Sequence, residues 1–340
     1  MKSKQLSSQT YKGLVNIQVN KSSLEKAEET LILDLKNKAL REWKSQLQTM
    51  NNKKVGAPFK YPRSFILLAA VLLYLKHLSY RRLVAELYIL TGIRISKSQL
   101  YDRITKLSLS ININGFLNEK LMEIAVDATG FKPTEKGNWR IINHENGEVK
   151  RNGYIKLMAA VDVETLSILS GFIGDAQTAD ITLFEPMFEE IKDKTKVLYG
   201  DGSFDTFKVY RKCIEAGIIP VIRPDKNAIA RYNKDGLPRD LRSYYVEFIK
   251  KNGYREWSKR FNFGKRWLIE IAYSKFKRLF GETVKSKKEE NIRQEFTLKI
   301  WIYNALIALQ HGFKQIDYFF RFILYEYFIL EKRITGQPSF

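Results

Sequence analysis

Cysteine and histidine are scarce in this chain of 340 residues, which contains one cysteine and three histidines. A single cysteine, Cys213, excludes an internal disulfide and is typical of a protein kept in a reducing cytoplasm. The histidines lie far apart and have no companion cysteines, so the sequence predicts no structural zinc site. Long apolar runs are also absent: the run 65–75 is too short to span a membrane, and Lys299 and Asn304 interrupt the later one.

Acidic residues are outnumbered, since 37 Asp and Glu stand against 58 Lys and Arg and give a formal net charge of +21. A surplus of this size creates a positive field over much of the surface. Nucleic acid and anionic membranes are the usual partners of such a surface, and we predict nucleic acid and no membrane partner. A basic surface that serves only solubility is the alternative. The expected location is the cytoplasm, in association with the nucleoid.

The composition changes along the chain and divides it into four predicted regions. Ser22 and Glu25 have the spacing of a helix capping box, and apolar residues follow at helical intervals, so one amphipathic helix is predicted over 22–50. The predicted regions are a basic N-terminal arm at 1–54, an all-helical, helix-turn-helix-like region at 55–115, an α/β domain at 116–312 and an aromatic-rich helix or tail at 313–340.

Residues 79–106 have the spacing of two helices joined by a tight turn. Gly92 supplies the turn, and Ser96 or Ser98 would cap the second helix. A helix-turn-helix places that second helix in the major groove of DNA. A helical hairpin without a DNA role is the alternative. The side chains expected to contact bases and phosphates are Lys97, Gln99 and Arg103.

Five strand-like runs begin near residue 120, and they predict a mixed α/β sheet. The first three runs follow one another closely, whereas the last two alternate with helical segments. That order favours an antiparallel meander followed by further strands, with helices flanking the sheet. Residues 223–262 are basic and aromatic with weak periodicity, so we interpret them as an insertion before the last helices.

Two acids stand at the ends of apolar strands. Asp127 lies within the run 124–128, where a carboxylate must either occupy a functional edge or be paired. Asp201 directly follows a second apolar run and lies between two glycines, which allow a metal ion or backbone to approach closely. The alternatives are a satisfied buried acid at Asp127 and an ordinary Asp-Gly turn at Asp201.

A third acid, Glu270, lies on a helix predicted over residues 264–280. At about 100° per residue, Arg266 and Lys277 share one face with Glu270, and Phe263 joins the same stripe. An acid between two cations is either a solvated ion-pair stripe or a metal ligand with a phosphate-binding cation on each side. The spacing alone does not separate these two interpretations.

The order and spacing of these residues resemble the DDE transposases of bacterial and archaeal insertion sequences. In one branch of that family the last acid lies in a signature of tyrosine, two residues, arginine, three residues, glutamate, six residues and lysine. This chain has Phe263, Arg266, Glu270 and Lys277 at that spacing. It departs at the first position, where phenylalanine keeps the ring and loses the hydroxyl.

The first two acids of the family also have counterparts in this chain. Asp127 lies on the first strand, and Asp201 lies in an Asp-Gly turn after the fourth strand. The resemblance covers roughly residues 120–310. It implies an α/β, RNase H-like mixed sheet flanked by helices, with an insertion at about 223–262 before the last catalytic helix and an all-helical N-terminal region.

The resemblance further implies an enzyme that cuts DNA at the ends of an element and joins those ends to target DNA. The three acids would hold two Mg²⁺ ions, for which Mn²⁺ would substitute, because such hard cations prefer carboxylate oxygens. The partners would be double-stranded DNA, as terminal inverted repeats and as target, and further copies of the chain in a homodimer or larger synaptic complex. The implied catalytic residues are Asp127, Asp201, Glu270, Arg266 and Lys277.

Aromatic residues accompany the cations of the insertion. Cations bind the DNA backbone, and an exposed ring stacks on an unpaired base near the cut. Trp257 and Trp267 are the candidates for stacking, and Phe263 is a further candidate DNA contact. The alternative is a basic surface over a small satellite core.

Two alternatives to a transposase stay open. A DNA-binding protein derived from a transposase would have lost catalysis, yet all three acids and both cations are present. An RNase H-like nuclease would cleave DNA without joining it, and the sequence does not distinguish the two reactions.

Overall fold

A computed structural model defines the fold. The tail predicted at 313–340 and residues 1–21 of the predicted arm lie outside the described residues. The structure describes residues 22–107, 109, 121–133, 142–145, 148–151 and 153–311.

The N-terminal region is built from helices alone in its described part, as predicted. The helices are α1 (Ser23–Arg41), α2 (Trp43–Asn51), α3 (Arg63–Leu75), α4 (Tyr80–Thr91) and α5 (Lys97–Thr105). α1 begins at the predicted capping box, in which the side chains of Ser22 and Glu25 each accept a hydrogen bond from the other's backbone N–H. The single helix predicted over 22–50 is instead two helices, because the helical conformation is interrupted at Glu42.

α3 is the central helix of this region. Every residue from 64 to 74 is buried, as expected of a helix that is apolar on all sides. α3 contacts α1, α4 and α5, and Leu31 and Leu35 of α1 are fully buried. The other helices of the N-terminal region therefore pack around the apolar helix α3.

The turn between α4 and α5 has the predicted glycine. Gly92 ends α4 with a φ of 72°, a left-handed conformation that suits a residue without a Cβ atom. Ser96, and not Ser98, caps α5: its hydroxyl accepts from the backbone N–H of Gln99 at 3.2 Å. The Gln99 side chain accepts in turn from the Ser96 backbone N–H at 3.3 Å.

A five-stranded mixed sheet forms the centre of the remaining chain. The strands are β1 (Met122–Phe131), β2 (Ile142–Glu145), β3 (Glu148–Arg151), β4 (Ile155–Asp162), β5 (Ile168–Asp175), β6 (Thr195–Gly200) and β7 (Ile219–Ile222). The sheet has the order β5-β4-β1-β6-β7, while β2 and β3 pair with each other. β1, β4 and β5 are antiparallel, and β6 and β7 run parallel to β1. This is the RNase H-like arrangement, so the predicted fold class is confirmed.

Helices cover both faces of this sheet. They are α6 (Asp180–Ile191), α7 (Phe207–Glu215), α8 (Leu241–Asn252), α9 (Tyr254–Arg260), α10 (Trp267–Phe280) and α11 (Glu289–Gln310). A Cβ atom at Gly171 of β5 would meet Ile300 of α11, whereas one at Gly174 would meet Leu183 of α6. Residues three apart on a strand point to opposite faces, so α6 and α11 lie on opposite sides of the sheet.

The N-terminal helices and the sheet share one continuous hydrophobic core. α3 contacts both α10 and α11, and α1 contacts α11. None of the described helices is long and apolar enough to cross a membrane.

The segment between β7 and α10 contains two helices that the sequence did not predict, α8 and α9. They enclose an aromatic cluster, in which the ring of Tyr245 lies 5.5 Å from that of Trp257 and 4.7 Å from that of Phe261. Phe263 completes the cluster, with its ring 5.0 Å from Trp257. Tyr245, Trp257 and Phe263 belong to the same hydrophobic core as the sheet, and Phe261 packs against it.

Candidate active site

Two of the three predicted acids lie at the same edge of the sheet. β1 and β6 are neighbouring parallel strands, and their register pairs Ala125 with Tyr199. Two residues further along each strand are Asp127 and Asp201, and side chains two residues apart point to the same face. The sheet therefore brings both carboxylates together on one face.

Glu270 reaches this edge from α10, which packs on β1 and β4. Arg266 connects it to the first acid: the guanidinium donates to Oδ2 of Asp127 at 2.8 Å and also to the Glu270 carboxylate. Tyr273, three residues after Glu270, donates its hydroxyl to the backbone carbonyl of Asp127 at 2.6 Å. The 3-10 turn before α10 thus fixes the side chain of Asp127, and α10 itself fixes its backbone.

The helix that bears Glu270 begins later than predicted. A 3-10 turn spans Phe263–Arg266, and α10 starts at Trp267 rather than at residue 264. Arg266 and Glu270 nevertheless make the i, i+4 contact expected of one helical face.

Asp127 has an unusual protonation equilibrium. Burial raises its pKa to about 6, because removing a carboxylate from water penalises its charged form, and the nearby charge of Asp201 raises the pKa further. The backbone N–H of Ala128 and the Arg266 guanidinium oppose this rise. Asp127 and Asp201 therefore lie close enough to repel each other.

Asp201 is held by its own turn. Its carboxylate accepts from the backbone N–H of Ser203 at 2.8 Å and from the Ser203 hydroxyl at 2.6 Å. The same loop contains Asp205, whose buried carboxylate receives two hydrogen bonds of 2.7 Å from Arg242 of α8. The insertion thus fixes the loop in which Asp201 lies.

A cleft of about 670 Å³ opens in front of Asp127 and Glu270. Lys277 lines it as well, so the predicted cation after the glutamate faces the same space as two of the acids. Its ammonium lies 5.2 Å from the centre of the Phe131 ring. Asp201 stands next to this cleft and does not line it. The further lining residues of the cleft include Tyr273, Ser274 and Arg278.

The donor set suits a hard divalent cation in kind. Carboxylate oxygens are the ligands that Mg²⁺ prefers, and Asp127 and Glu270 already share one cation, the guanidinium of Arg266. The acids are not assembled around one point, since no group of three acidic, histidine or cysteine side chains among the described residues could hold a metal ion as placed.

The predicted aromatic residues fall into two kinds. Trp257 is fully buried, with Tyr245, Phe261 and Phe263 around it. It presents no free face to a base, so its predicted stacking role is corrected to packing. Phe263 is also buried, whereas Trp267 is 59% exposed at the start of α10.

The predicted DNA-facing residues of α5 differ in their freedom. Lys97 is exposed, but the Gln99 side chain is engaged in the capping box. The Arg103 guanidinium lies 4.2 Å from the centre of the Phe59 ring. A separate cleft between α4 and α5 is lined by Arg81 and Arg94, which the sequence pattern did not single out.

Sequence reasoning missed two residues that support the site, Glu123 and Tyr273. Glu123, four residues before Asp127 on β1, accepts from Lys265 at 2.6 Å and from the Tyr199 hydroxyl at 2.8 Å. Tyr273 holds the backbone carbonyl of Asp127. Two signals in the sequence could have identified them. Glu123 lies four residues before Asp127, so both side chains point to the same face of the strand, and Tyr273 lies three residues after Glu270, so both share one face of the helix.

A family model and several solved structures are similar to this chain. The family model described as "Transposase DDE domain" matches residues 119–305. Among solved structures, a piggyBac transposase synaptic complex with hairpin DNA is 10% identical, with 86% of this chain and 76% of that chain covered and a TM-score of 0.38. The Drosophila P element transposase strand transfer complex is 11% identical, with 82% and 70% covered and a TM-score of 0.33. These scores are low, so the assignment follows from the family model: the chain belongs to the transposase DDE domain family.

Proposed function

We propose that this chain is a transposase that cuts DNA at the ends of an element and joins the exposed 3′ ends to target DNA. The observation that carries the proposal is the convergence of Asp127 and Glu270 on Arg266, beside Asp201, at the rim of an open cleft. Membership of the family supports the reaction class. The carboxylates of Asp127, Asp201 and Glu270 are the groups at this edge that suit the chemistry of a hard divalent cation.

Asp127, Asp201 and Glu270 are the residues that would hold two Mg²⁺ ions, or Mn²⁺ in their place. Such ions, when bound, supply Lewis-acid stabilisation to the attacking and leaving oxygens of an in-line phosphodiester displacement. Burial and the nearby Asp201 disfavour the charged form of Asp127. A divalent cation would stabilise that charged form more strongly than one guanidinium does.

Arg266 and Lys277 are the proposed phosphate-binding residues. A guanidinium offers a planar fork to two phosphate oxygens, whereas an ammonium acts as a point charge. Lys277 lines the cleft in front of Asp127, and it makes no ion pair with another described residue. Arg266 would exchange its carboxylate partners for phosphate when a cation takes over the acids.

Phe263 serves in this proposal as a positioning residue. It is buried against Trp257 and begins the 3-10 turn that presents Arg266. The family's tyrosine hydroxyl is absent here, so the ring acts through packing. Trp267, exposed at the next turn, is the proposed base-stacking residue.

The remaining proposals concern the partners. The described helices α4 and α5, with Lys97 exposed and the Arg81 and Arg94 cleft between them, are proposed to contact the terminal inverted repeats. The helical region 55–115 would then bind the ends and region 116–312 would cut them. Pairing two ends requires a homodimer or larger synaptic complex.

A strand-cleavage and joining assay tests this function. Duplex DNA carrying the ends of the element is incubated with Mg²⁺ or Mn²⁺ and the parent chain, Asp127→Asn, Asp201→Asn or Glu270→Gln. We expect each variant to bind DNA and to lose at least about 10³-fold in cleavage rate, since several kcal/mol of stabilisation is removed. Asp193→Asn, an exposed acid after α6, is the matched control. Cleavage by the parent without joining would instead indicate a nuclease.

A further inference from the structure

A second cleft lies beside Asp201, and the predicted reaction does not account for it. It has a volume of about 620 Å³ and lies between the loop after β7 and helices α8 and α9. Gly202, the residue after Asp201, forms part of its wall. The charged residues lining it are Arg223, Asp225, Lys226 and Lys250.

The sheet places this cleft next to the acids. β6 and β7 are parallel neighbours, Asp201 directly follows β6, and Arg223 directly follows β7. The Arg223 guanidinium lies against the Asp201 turn, because a Cβ atom at Gly202 would be 3.6 Å from Nη2. Along the sheet edge the order is therefore Asp127, Asp201, Arg223. Two strand spacings, about 10 Å, separate the first strand from the last.

The cleft carries excess positive charge. Arg223, Lys226 and Lys250 are exposed, and none of them makes an ion pair with another described residue. The single acid, Asp225, accepts a hydrogen bond from the backbone N–H of Asn227 at 2.8 Å. Three unpaired cations in one concave surface attract an anion that neutralises several of them at once.

The walls of the cleft are fixed. The backbone N–H of Asp225 donates to Asp205 at 2.8 Å, and Asp205 is itself held by two hydrogen bonds from Arg242. The loop that carries Arg223 is thus tied to the loop that carries Asp201. Buried Val246 and half-exposed Tyr254 supply apolar surface beside the cations.

We propose that this cleft binds the sugar-phosphate backbone of a DNA strand that extends from the active site past Asp201. The proposal rests on the proposed function and names a contact that the reaction itself does not require. Cations bind phosphodiesters, and a cleft of this volume is within the size range of pockets that enclose a ligand of a few hundred daltons. A strand lying here would cross the sheet edge from Lys277 to Lys226.

Salt-dependent DNA binding tests the cleft without any catalysis. The affinity of a single-stranded oligonucleotide is measured by fluorescence anisotropy over a salt series without divalent ions. The triple variant Arg223→Ala/Lys226→Ala/Lys250→Ala should lower the slope of log affinity against log salt by about 2, at roughly 0.7 per phosphate contact. The control Lys26→Ala/Lys44→Ala/Arg211→Ala removes three exposed cations elsewhere. Equal slopes for the triple variant and the parent, or equal losses in triple variant and control, would overturn the proposal.

Site-specific crosslinking locates the strand. The parent's one cysteine, Cys213, is buried, so a new cysteine is the reactive thiol. An oligonucleotide with a disulfide-bearing tether on one phosphate should join to Lys226→Cys by thiol–disulfide exchange, with release of the small thiol. Arg211→Cys is the exposed control. If Lys226→Cys reacts no faster than Arg211→Cys, no strand lies in the cleft.

Two further comparisons distinguish a DNA strand from a free phosphate ion, and distinguish failure of this cleft from failure of the proposed function. Inorganic phosphate or dAMP that competes as well as an oligonucleotide, per phosphate, would indicate a site for a free anion and overturn the strand assignment. A parent that cuts DNA with an unchanged salt slope in the triple variant keeps the proposed function and rejects this cleft. A lowered slope in a chain that never cuts DNA keeps the cleft and rejects the function.

Discussion

Arg266 donates a hydrogen bond of 2.8 Å to Asp127 across 139 positions of sequence. The same guanidinium also binds Glu270, so one side chain couples the acid of β1 to the acid of α10. A cation between two carboxylates relieves their repulsion. The arginine of the signature therefore has a role toward the acids themselves, beyond the phosphate contact that its sequence position suggests.

Replacing Arg266 tests this coupling. We expect Arg266→Lys to lower the single-turnover cleavage rate by about 10²-fold or more, because a lysine lacks the fork that contacts two groups at once. Arg211→Lys, the same change at an exposed arginine of α7, serves as the matched control. A variant Arg266→Lys that cuts as fast as the parent would show that the fork is dispensable.

The pKa of Asp127 predicts a pH-dependent stability in the absence of divalent ions. The pKa of Asp127 is about 6 in the folded protein, whereas its ordinary value is 3.8. The protonated carboxyl therefore contributes stability that is fully present below the ordinary value and is lost as pH rises through about 6. The asparagine side chain of the variant Asp127→Asn cannot ionise. The unfolding free energy of this variant, relative to that of the parent, should therefore rise by on the order of 3 kcal/mol between about pH 4 and pH 7. Urea unfolding at each pH measures this difference. A difference between parent and variant that is independent of pH contradicts the assigned burial.

Tyr273 and Tyr303 form a matched pair of buried hydroxyl donors. Tyr273 donates to the carbonyl of Asp127 at 2.6 Å, and Tyr303 donates to the carbonyl of Leu166 at 3.0 Å. Replacing either by phenylalanine should cost about 1–2 kcal/mol of unfolding free energy, because a buried acceptor loses its donor. Only Tyr273→Phe should also lower the cleavage rate measured with Mg²⁺. Equal cleavage rates in the two variants would remove Tyr273 from the site.

The buried pair of Asp205 and Arg242 predicts a large stability effect. Asp205 has 1% of its side chain exposed and Arg242 has 10%, so removal of one partner leaves a buried charge unpaired. Asp205→Asn should cost about 3–5 kcal/mol, measured by urea unfolding. Glu289→Gln, which breaks the exposed pair with Arg293, should cost less than about 1 kcal/mol. Similar losses in both variants would mean that the Asp201 loop is not held by α8.

Two tryptophans separate stacking from packing. Trp267 is 59% exposed and Trp257 is fully buried. Trp267→Ala should weaken single-strand binding by about 1–3 kcal/mol, the range for one lost stacking contact, and leave stability almost unchanged. Trp257→Ala should instead cost about 3–5 kcal/mol of unfolding free energy. Thermal unfolding and fluorescence anisotropy on both variants distinguish the two roles, and a reversed pattern would contradict them.

The sheet edge could be predicted because its signals are local. Apolar runs with an acid at the end locate Asp127 and Asp201, and strand order then brings neighbouring parallel ends together. The capping pairs Ser22 with Glu25 and Ser96 with Gln99 are equally local. The residue type of Gln99, a predicted DNA contact, does not reveal that its side-chain oxygen also accepts a hydrogen bond from the backbone N–H of Ser96.

Contacts between distant segments could not be predicted in the same way. Nothing in the sequence near Arg266 indicates that it reaches β1, and nothing near Trp257 indicates that Tyr245 and Phe261 enclose it. In the sequence, an aromatic residue among cations looks the same whether it stacks on a base or packs into the core. Burial decides between these roles, and burial is a property of the whole fold.

The most direct test of the three-acid metal site is a change of ligand. Asp127→Cys, Asp201→Cys and Glu270→Cys replace a hard carboxylate by a softer thiolate, which suits Mg²⁺ poorly. With Mg²⁺ we expect each variant to lose DNA cleavage, and with the more thiol-tolerant Mn²⁺ we expect cleavage to return in part. Cleavage by any of the three variants at the parent's rate with Mg²⁺ would show that its acid holds no catalytic ion.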